Sequence, residues 1–296
     1  MADRAIKGGS IIVGTDFSSA SRRALAYAVR LARSEELKLK MVFVRSFFST
    51  EMPEVEDAED KHLIRQMLHQ VVQSGINPRL AECVLVDGRP DREILNIAVH
   101  DHAAYIVVGT HSRRGFDRLM LGSVAESLLR EADLPVIVVG PKAEENSESQ
   151  LPWKRLLLAT DLAGGISEAA QLAGVLAVQK EAYLTIFNVQ PDGIHAIPEN
   201  QFDALESIMT RESWLRLKPQ CLVRGGDMVT QVANMAKDCH ADLLVMSAQA
   251  SNGLLPHLHR SKIAGMLCAA PCPVMVLRHK DDSVSRCKPL LWAEIA

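Results

Sequence analysis

VVGTHSRRGFDRLMLGSVAES, residues 107–127, and VMSAQASNGLLPHLHRSKIAG, residues 245–265, are one stretch written twice. The correspondence spreads outward from them without a gap. Cys83 to Val139 lies on Cys221 to Leu277 at a constant offset of 138 residues. Gly88 meets Gly226, Asn96 meets Asn234, Gly115 meets Gly253, Ser123 meets Ser261, and Pro135-Val136 meet Pro273-Val274. Further forward, IIVGTDF (11–17) lies on LLLATDL (156–162) at an offset of 145, with Ala24 on Ala169, Ala28 on Ala173 and Val44 on Val189. The two offsets differ by 7, a deletion in the second copy between its second and third strands. Internal self-similarity at such a period marks a repeated structural unit. The polar, acidic GPKAEENSESQLP (140–152), bracketed by prolines, separates the units.

Within the first copy short apolar runs alternate with helical periods. Strands are expected at Ser10–Thr15, Lys38–Val44, Arg79–Val86, Ala104–Gly109 and Val136–Val139. Between them SASRRALAYAVRLARSEE, EDAEDKHLIRQMLHQVVQSG, PDREILNIAVHDH and GSVAESLLREA carry apolar residues at three- and four-residue spacing. This alternation predicts right-handed βαβ units around a parallel sheet covered on both faces. IIV, YIVV and PVIVV are apolar throughout, as strands buried on both faces are. The expected fold is α/β: two tandem Rossmann-like, doubly wound domains, each a five-stranded parallel sheet flanked by helices. We place them at 1–141 and 152–280, with a C-terminal tail at 281–296.

The chain has 296 residues, 48% of them hydrophobic, and a formal charge of −3. That charge gives no reason to expect nucleic acid or an anionic membrane as a partner. No apolar run approaches the ~18 residues of a membrane span. The N-terminus has no apolar signal region, and six cysteines in this length suggest no disulfide framework. A cytoplasmic location is expected. Cys83 and Cys221 occupy equivalent strand positions and read as core, whereas Cys287 reads as exposed. His257, His259, Cys268 and Cys272 have the chemistry of a tetrahedral zinc site, but both cysteines also fit apolar positions. LLWAEIA (290–296) reads as a docked terminus or a partner-binding segment.

In an open sheet of this kind ligands bind at the strand carboxyl ends, where the winding reverses. If the first and fourth strands flank that switch, Thr15-Asp16 and Gly109-Thr110 share one crevice. Gly109 would allow unusual dihedrals or a close backbone approach. Gly122-Ser123 opens a helix whose unpaired N–H groups form an anion site, with Arg113, Arg114 and Arg118 nearby. Two plainer readings stand beside this. Ser123-x-x-Glu126 has the form of a capping box, and Asp16 could cap the first long helix.

These residues resemble the universal stress protein family in its tandem form, over nearly the full length of both copies. The ATP-binding branch of that family carries a strand-end Asp and the pattern G-x2-G-x9-G-[S/T]. The first copy reads Gly109-Thr110-His111-Ser112, nine residues, then Gly122-Ser123, so Ser112 stands where the second glycine is expected. The resemblance implies that Asp16 lies near a ribose, with Thr15 beside it, and that the Val44 backbone meets adenine. The implied cofactor-binding set is Thr15, Asp16, Val44, Val108, Gly109, His111, Ser112, Arg113, Gly115, Gly122, Ser123 and Val124. The implied ligand is ATP, with or without Mg, or ADP or AMP. The resemblance also implies a dimer or pseudo-dimer around the last strand of each domain, and a homodimer through the final strands or tail is expected. An unidentified signalling protein is the further partner.

In the second copy Gly109, Ser112 and Gly122 become Ser247, Ala250 and Arg260, while Asp161 and Ser261 survive. We read it as a degenerate partner. No Walker lysine motif, no paired metal-binding carboxylates and no SGGxDS-type loop are present, so no catalytic residue is assigned and any hydrolysis would be slow. His111 reads as a loop residue, not a catalyst. The alternative is a nucleotide-free stress-response scaffold acting through oligomerisation and protein contacts.

Overall fold

The computed structural model describes residues 9–45, 53–110, 121–143, 153–160, 168–190, 211–249 and 256–279. The first repeat supplies β1 (Ser10–Thr15), α1 (Ser19–Glu35), β2 (Lys38–Arg45), α2 (Pro53–Gln73) and β3 (Ala81–Asp87). It continues with α3 (Pro90–His100), β4 (Tyr105–Gly109), α4 (Ser123–Glu131) and β5 (Val136–Val139). The second begins with β6 (Arg155–Ala159), α5 (Glu168–Lys180), β7 (Tyr183–Gln190), α6 (Arg211–Leu217) and β8 (Gln220–Gly225). It ends with α7 (Met228–Asp238), β9 (Leu243–Gln249), α8 (Pro256–Ala269) and β10 (Val274–His279).

The strands form one sheet in the order β3-β2-β1-β4-β5-β10-β9-β6-β7-β8. Each half is parallel and reverses its winding between its first and fourth strands, as the alternation of apolar runs and helical periods predicted. Ile11, Ile12 and Val13 are wholly buried because helices cover both faces. On one face α1, α2 and α5 pack over Ile11, Val13, Tyr105 and Val107. On the other, α3, α4, α7 and α8 pack over Ile12, Ile106, Val108 and Val138. In α1 the alanines at 20, 24, 28 and 32 let the helix lie close to the sheet, and Glu36 ends it in the left-handed region at φ 55°. The third strand starts at Ala81 rather than Arg79, because Pro78–Leu80 closes a short 3-10 turn first.

The halves join where β5 and β10 pair antiparallel, Val136 with Val276, Ile137 with Met275 and Val138 with Val274. Ile137 and Met275 are equivalent residues, so a pseudo-twofold axis passes between them. A second pair of equivalents meets across it: Lys180 Nζ lies 2.7 Å from Glu35 Oε2, both side chains largely buried. Trp153, only 1% exposed, donates from Nε1 to Tyr27 Oη at 2.8 Å and packs edge-on against Tyr105. This arrangement corrects one expectation. β5 and β10 spend their edges on each other, leaving no free edge of a final strand for a second chain. The tail at 281–296 lies outside the described residues.

Candidate functional site

Parallel pairing of Ile11, Ile12 and Val13 with Tyr105, Ile106 and Val107 sets the tips of β1 and β4 side by side at the switch. The β1 tip is a tight polar turn. Thr15 Oγ1 donates to Ser21 Oγ at 3.3 Å and accepts from the Phe17 N–H at 3.1 Å. Asp16 Oδ1 accepts from the Ser18 N–H at 3.0 Å and is exposed at the rim. Partial burial works to raise the Asp16 pKa, but hydrogen bonds from Ser18 and Ser21 outweigh it and hold the carboxyl below its usual range. Asp16 is not the cap of α1. Ser18 is, its Oγ accepting from the Ser21 N–H at 3.2 Å, while Asp16, two residues earlier, closes an Asx turn on the Ser18 N–H. Phe17 turns the chain at φ 61°, a left-handed conformation that costs a non-glycine residue about 1 kcal/mol. Its ring stacks on Phe43 with centroids 5.0 Å apart.

Gly109 ends β4 for a reason the sequence reading did not identify. It takes no positive φ, but a Cβ there would lie 2.2 Å from the Ala20 carbonyl oxygen in the first turn of α1. The close approach is to protein backbone. Val108, beside it, is buried on the opposite face. Thr110 follows, 1% exposed, its N–H donating to Val139 O at 3.2 Å and its Oγ1 buried without a partner among the described residues.

Across the crevice α4 opens on Gly122, in extended conformation at φ −61° and ψ 142°. Gly122 is therefore the N-cap and Ser123 the first helical residue, which overturns the capping-box reading. The Glu126 N–H bonds the Gly122 carbonyl at 2.9 Å, and no side chain caps the helix. Gly122 and Ser123 are exposed, Val124 is half-buried, and a Cβ at Gly122 would meet nothing within 4 Å. Among the described residues no side chain caps the first-turn amides of this helix, which carry the positive end of its dipole. Its position is fixed by Ser127 Oγ, which donates to Asp91 Oδ2 at 2.6 Å, while Arg89 lies 2.8 Å from the same oxygen. Burial pushes the Asp91 pKa up, and these two hydrogen bonds more than reverse the effect.

Val44 sits inside β2, opposite Val86, not after the strand. The next residue, Arg45, binds Asp87 through Nε and Nη2 at 2.5 and 2.9 Å and Asp60 through Nη1 at 2.6 Å, tying α2 to the rim. Thr15, Asp16, Val44, Val108 and Gly109 therefore gather at one end of the sheet, with Gly122, Ser123 and Val124 at the start of α4. His111, Ser112, Arg113 and Gly115, with Arg114, Arg118, Asp161, Ala250 and Cys287, lie outside the described residues.

One residue of this rim was not singled out from sequence. Arg23, on α1, donates from Nη2 to Thr110 O and from Nη1 to Ser19 O, both at 3.3 Å, with Nε buried and unpartnered. It pairs with no carboxylate among the described residues. The signal was available, since Arg22-Arg23 places cations near the start of a helix with no acid in its first turn.

The second repeat is built differently here. α8 starts at Pro256, five residues ahead of Ser261, the equivalent of Ser123, so the amides at 260 and 261 lie inside a helix. Cys268 and Cys272 are core residues, and burial raises the Cys272 thiol to about 12. The side chains of His257 and His259 lie outside the described set, and among the described residues no three metal-ligating side chains converge. None of the described helices is long and apolar enough to cross a membrane.

The universal stress protein family model matches residues 9–140 and again 152–278. A universal stress protein of Methanocaldococcus jannaschii is 29% identical over 144 residues, 45% of this chain and 84% of that protein. YxiE of Bacillus subtilis is 27% identical over 146 residues, 44% of this chain and 97% of its own length. Among solved structures, a universal stress protein of Archaeoglobus fulgidus superposes with a TM-score of 0.70 at 17% identity, covering 92% of this chain and 99% of that one. With both repeats matched, this chain belongs to the universal stress protein family.

Proposed function

We propose that the first repeat binds ATP, or the related ADP or AMP, at the crevice between β1 and β4, and that the second repeat is a partner lacking this site. The observation that carries the reading is the start of α4. Among the described residues no side chain caps its first-turn amides, the arrangement that receives a phosphate. Asp16, ionised and exposed at the β1 tip, is a ribose ligand, and the Val44 backbone lies where adenine would pack. Mg, if carried with the nucleotide, would arrive on its phosphates. We assign no catalytic residue. Occupancy would alter packing between the halves or association with a signalling protein in a cytoplasmic stress response.

Denaturing the purified full chain and identifying released small molecules by mass spectrometry tests this directly, with calorimetry for affinity. An adenine nucleotide released by the wild type, and lost in Gly122→Arg, supports the proposal. No nucleotide released, and no ATP binding at millimolar concentration, overturns it in favour of the nucleotide-free scaffold.

A further inference from the structure

We propose that Arg23, with Thr110, receives the distal phosphates of the bound nucleotide and makes the site prefer a polyphosphate to a monophosphate. The inference rests on the nucleotide reading above and extends it to a pair that no motif assigns.

Three independent observations converge. The first is charge. Arg23 is a guanidinium without a counterion among the described residues, held near the positive end of α1, where the helix dipole disfavours it. Only two carbonyl oxygens hold it, at Ser19 and Thr110. Arginine has five N–H donors, so those two bonds leave three unspent, including the buried Nε. The second is Thr110, 1% exposed, whose buried hydroxyl oxygen at the tip of β4 has no partner among the described residues. Unpaired buried hydroxyls are uncommon, and two unpaired polar atoms linked by one hydrogen bond are better explained by an absent partner than by chance. That partner must accept hydrogen bonds and carry negative charge. The third is the second repeat. The equivalent of Arg23 is Glu168, in the first turn of α5, and that of Thr110 is Ala248. The half whose α8 buries its phosphate amides thus also reverses the charge and deletes the hydroxyl.

Arg23 reaches the switch from α1, on the opposite face of the sheet from α4. The uncapped amides of α4 and this guanidinium can therefore bracket a chain of phosphates. A monophosphate would satisfy only one of them.

Calorimetry on the full chain with ATP, ADP and AMP tests the proposal. For Arg23→Gln we expect ATP affinity to fall roughly tenfold to a hundredfold, with AMP changed by less than about threefold. Arg23→Lys, which keeps the charge but not the fork, should fall between, and the near-isosteric Thr110→Val should weaken ATP severalfold. Equal losses for ATP and AMP, or none for ATP, would overturn the assignment while leaving the nucleotide reading intact. A wild-type protein that binds none of the three nucleotides would overturn both.

Discussion

The first and second repeats keep the same strands in the same order, and Thr15, Asp16 and Ser123 keep identical counterparts, yet much of the rest of the rim differs. Gly109 is replaced by Ser247, Gly122 by Arg260, Arg23 by Glu168, Asp91 by Val229 and Ser127 by Gly265. The apolar runs of β1, β4 and β5 have counterparts of similar size in β6, β9 and β10. Burial on both faces constrains those runs whether or not a ligand binds. The rim is constrained only by what it must hold. Where two copies of one fold diverge in this pattern, the divergence outlines a site.

The largest effect should come from the residue with no counterpart in bulk. Trp153 occupies the position of Gly8 in the first repeat and crosses from the second half to Tyr27. Trp153→Ala removes a fully buried indole and its hydrogen bond, and should cost about 3–5 kcal/mol in denaturant unfolding. A loss below about 1 kcal/mol would mean that the halves hold together without this plug.

Gly109→Ser copies the second repeat into the first. The new Cβ would overlap the Ala20 carbonyl, so α1 must move, at a cost of about 2–3 kcal/mol. In the second repeat Ser247 already stands at this position, half-buried in β9. Ser247→Gly should therefore change the melting temperature little. Equal effects of the two substitutions would break the comparison at this point.

The α3–α4 lock has no equivalent between α7 and α8, and its loss is readable by pH. Asp91 titrates below its usual 3.8 in the folded state, so its contribution is present at neutral pH and disappears as pH falls through the folded value. Ser127→Ala should destabilise by about 1–2 kcal/mol at pH 7. The gap from wild type should close below the ordinary carboxyl pKa. A gap independent of pH would show that Ser127 acts by packing alone.

Ser112→Gly restores the family's second glycine; if that position takes φ > 0 on binding, a Cβ there costs of order 1 kcal/mol, and the substitution should tighten ATP binding severalfold. The smallest effect belongs to Gly122→Ala. With nothing within 4 Å of its Cβ, the cost is that of alanine as a poorer N-cap than glycine, about 0.5–1 kcal/mol, a few degrees of melting temperature at most. A larger fall would show that this helix start needs glycine for its own conformation.

Strand positions were legible because alternation of apolar runs and helical periods reports burial directly, the repeat because its residues recur at constant offsets, and the meeting of the final strands because the family resemblance implied it. The site was legible in outline only. Thr15, Asp16 and Gly109 could be assigned to one crevice because topology dictates which strand tips adjoin. Capping was misread at both helices, since Asp16 and Ser18 both carry cap-forming oxygens two residues apart, and Ser123 follows directly on Gly122, so one or two residues of backbone geometry decide between them. The need for glycine at 109 comes from Ala20, 89 positions away, and no local pattern reports such a contact. The early start of α8 did have a local sign, the proline at 256, which suits the first position of a helix.

Glu35 and Lys180 meet at equivalent places on the axis. Two identical chains would have to set like charge against like there, whereas one chain carrying both halves can hold opposite charges. The covalent link also makes encounter between the halves unimolecular, at an effective concentration that dilution cannot lower. Scarcity of the protein in a cell would then leave this pairing intact. A foreign half of the same fold would have to offer lysine opposite Glu35 and an indole for Tyr27 before it could take the partner's place.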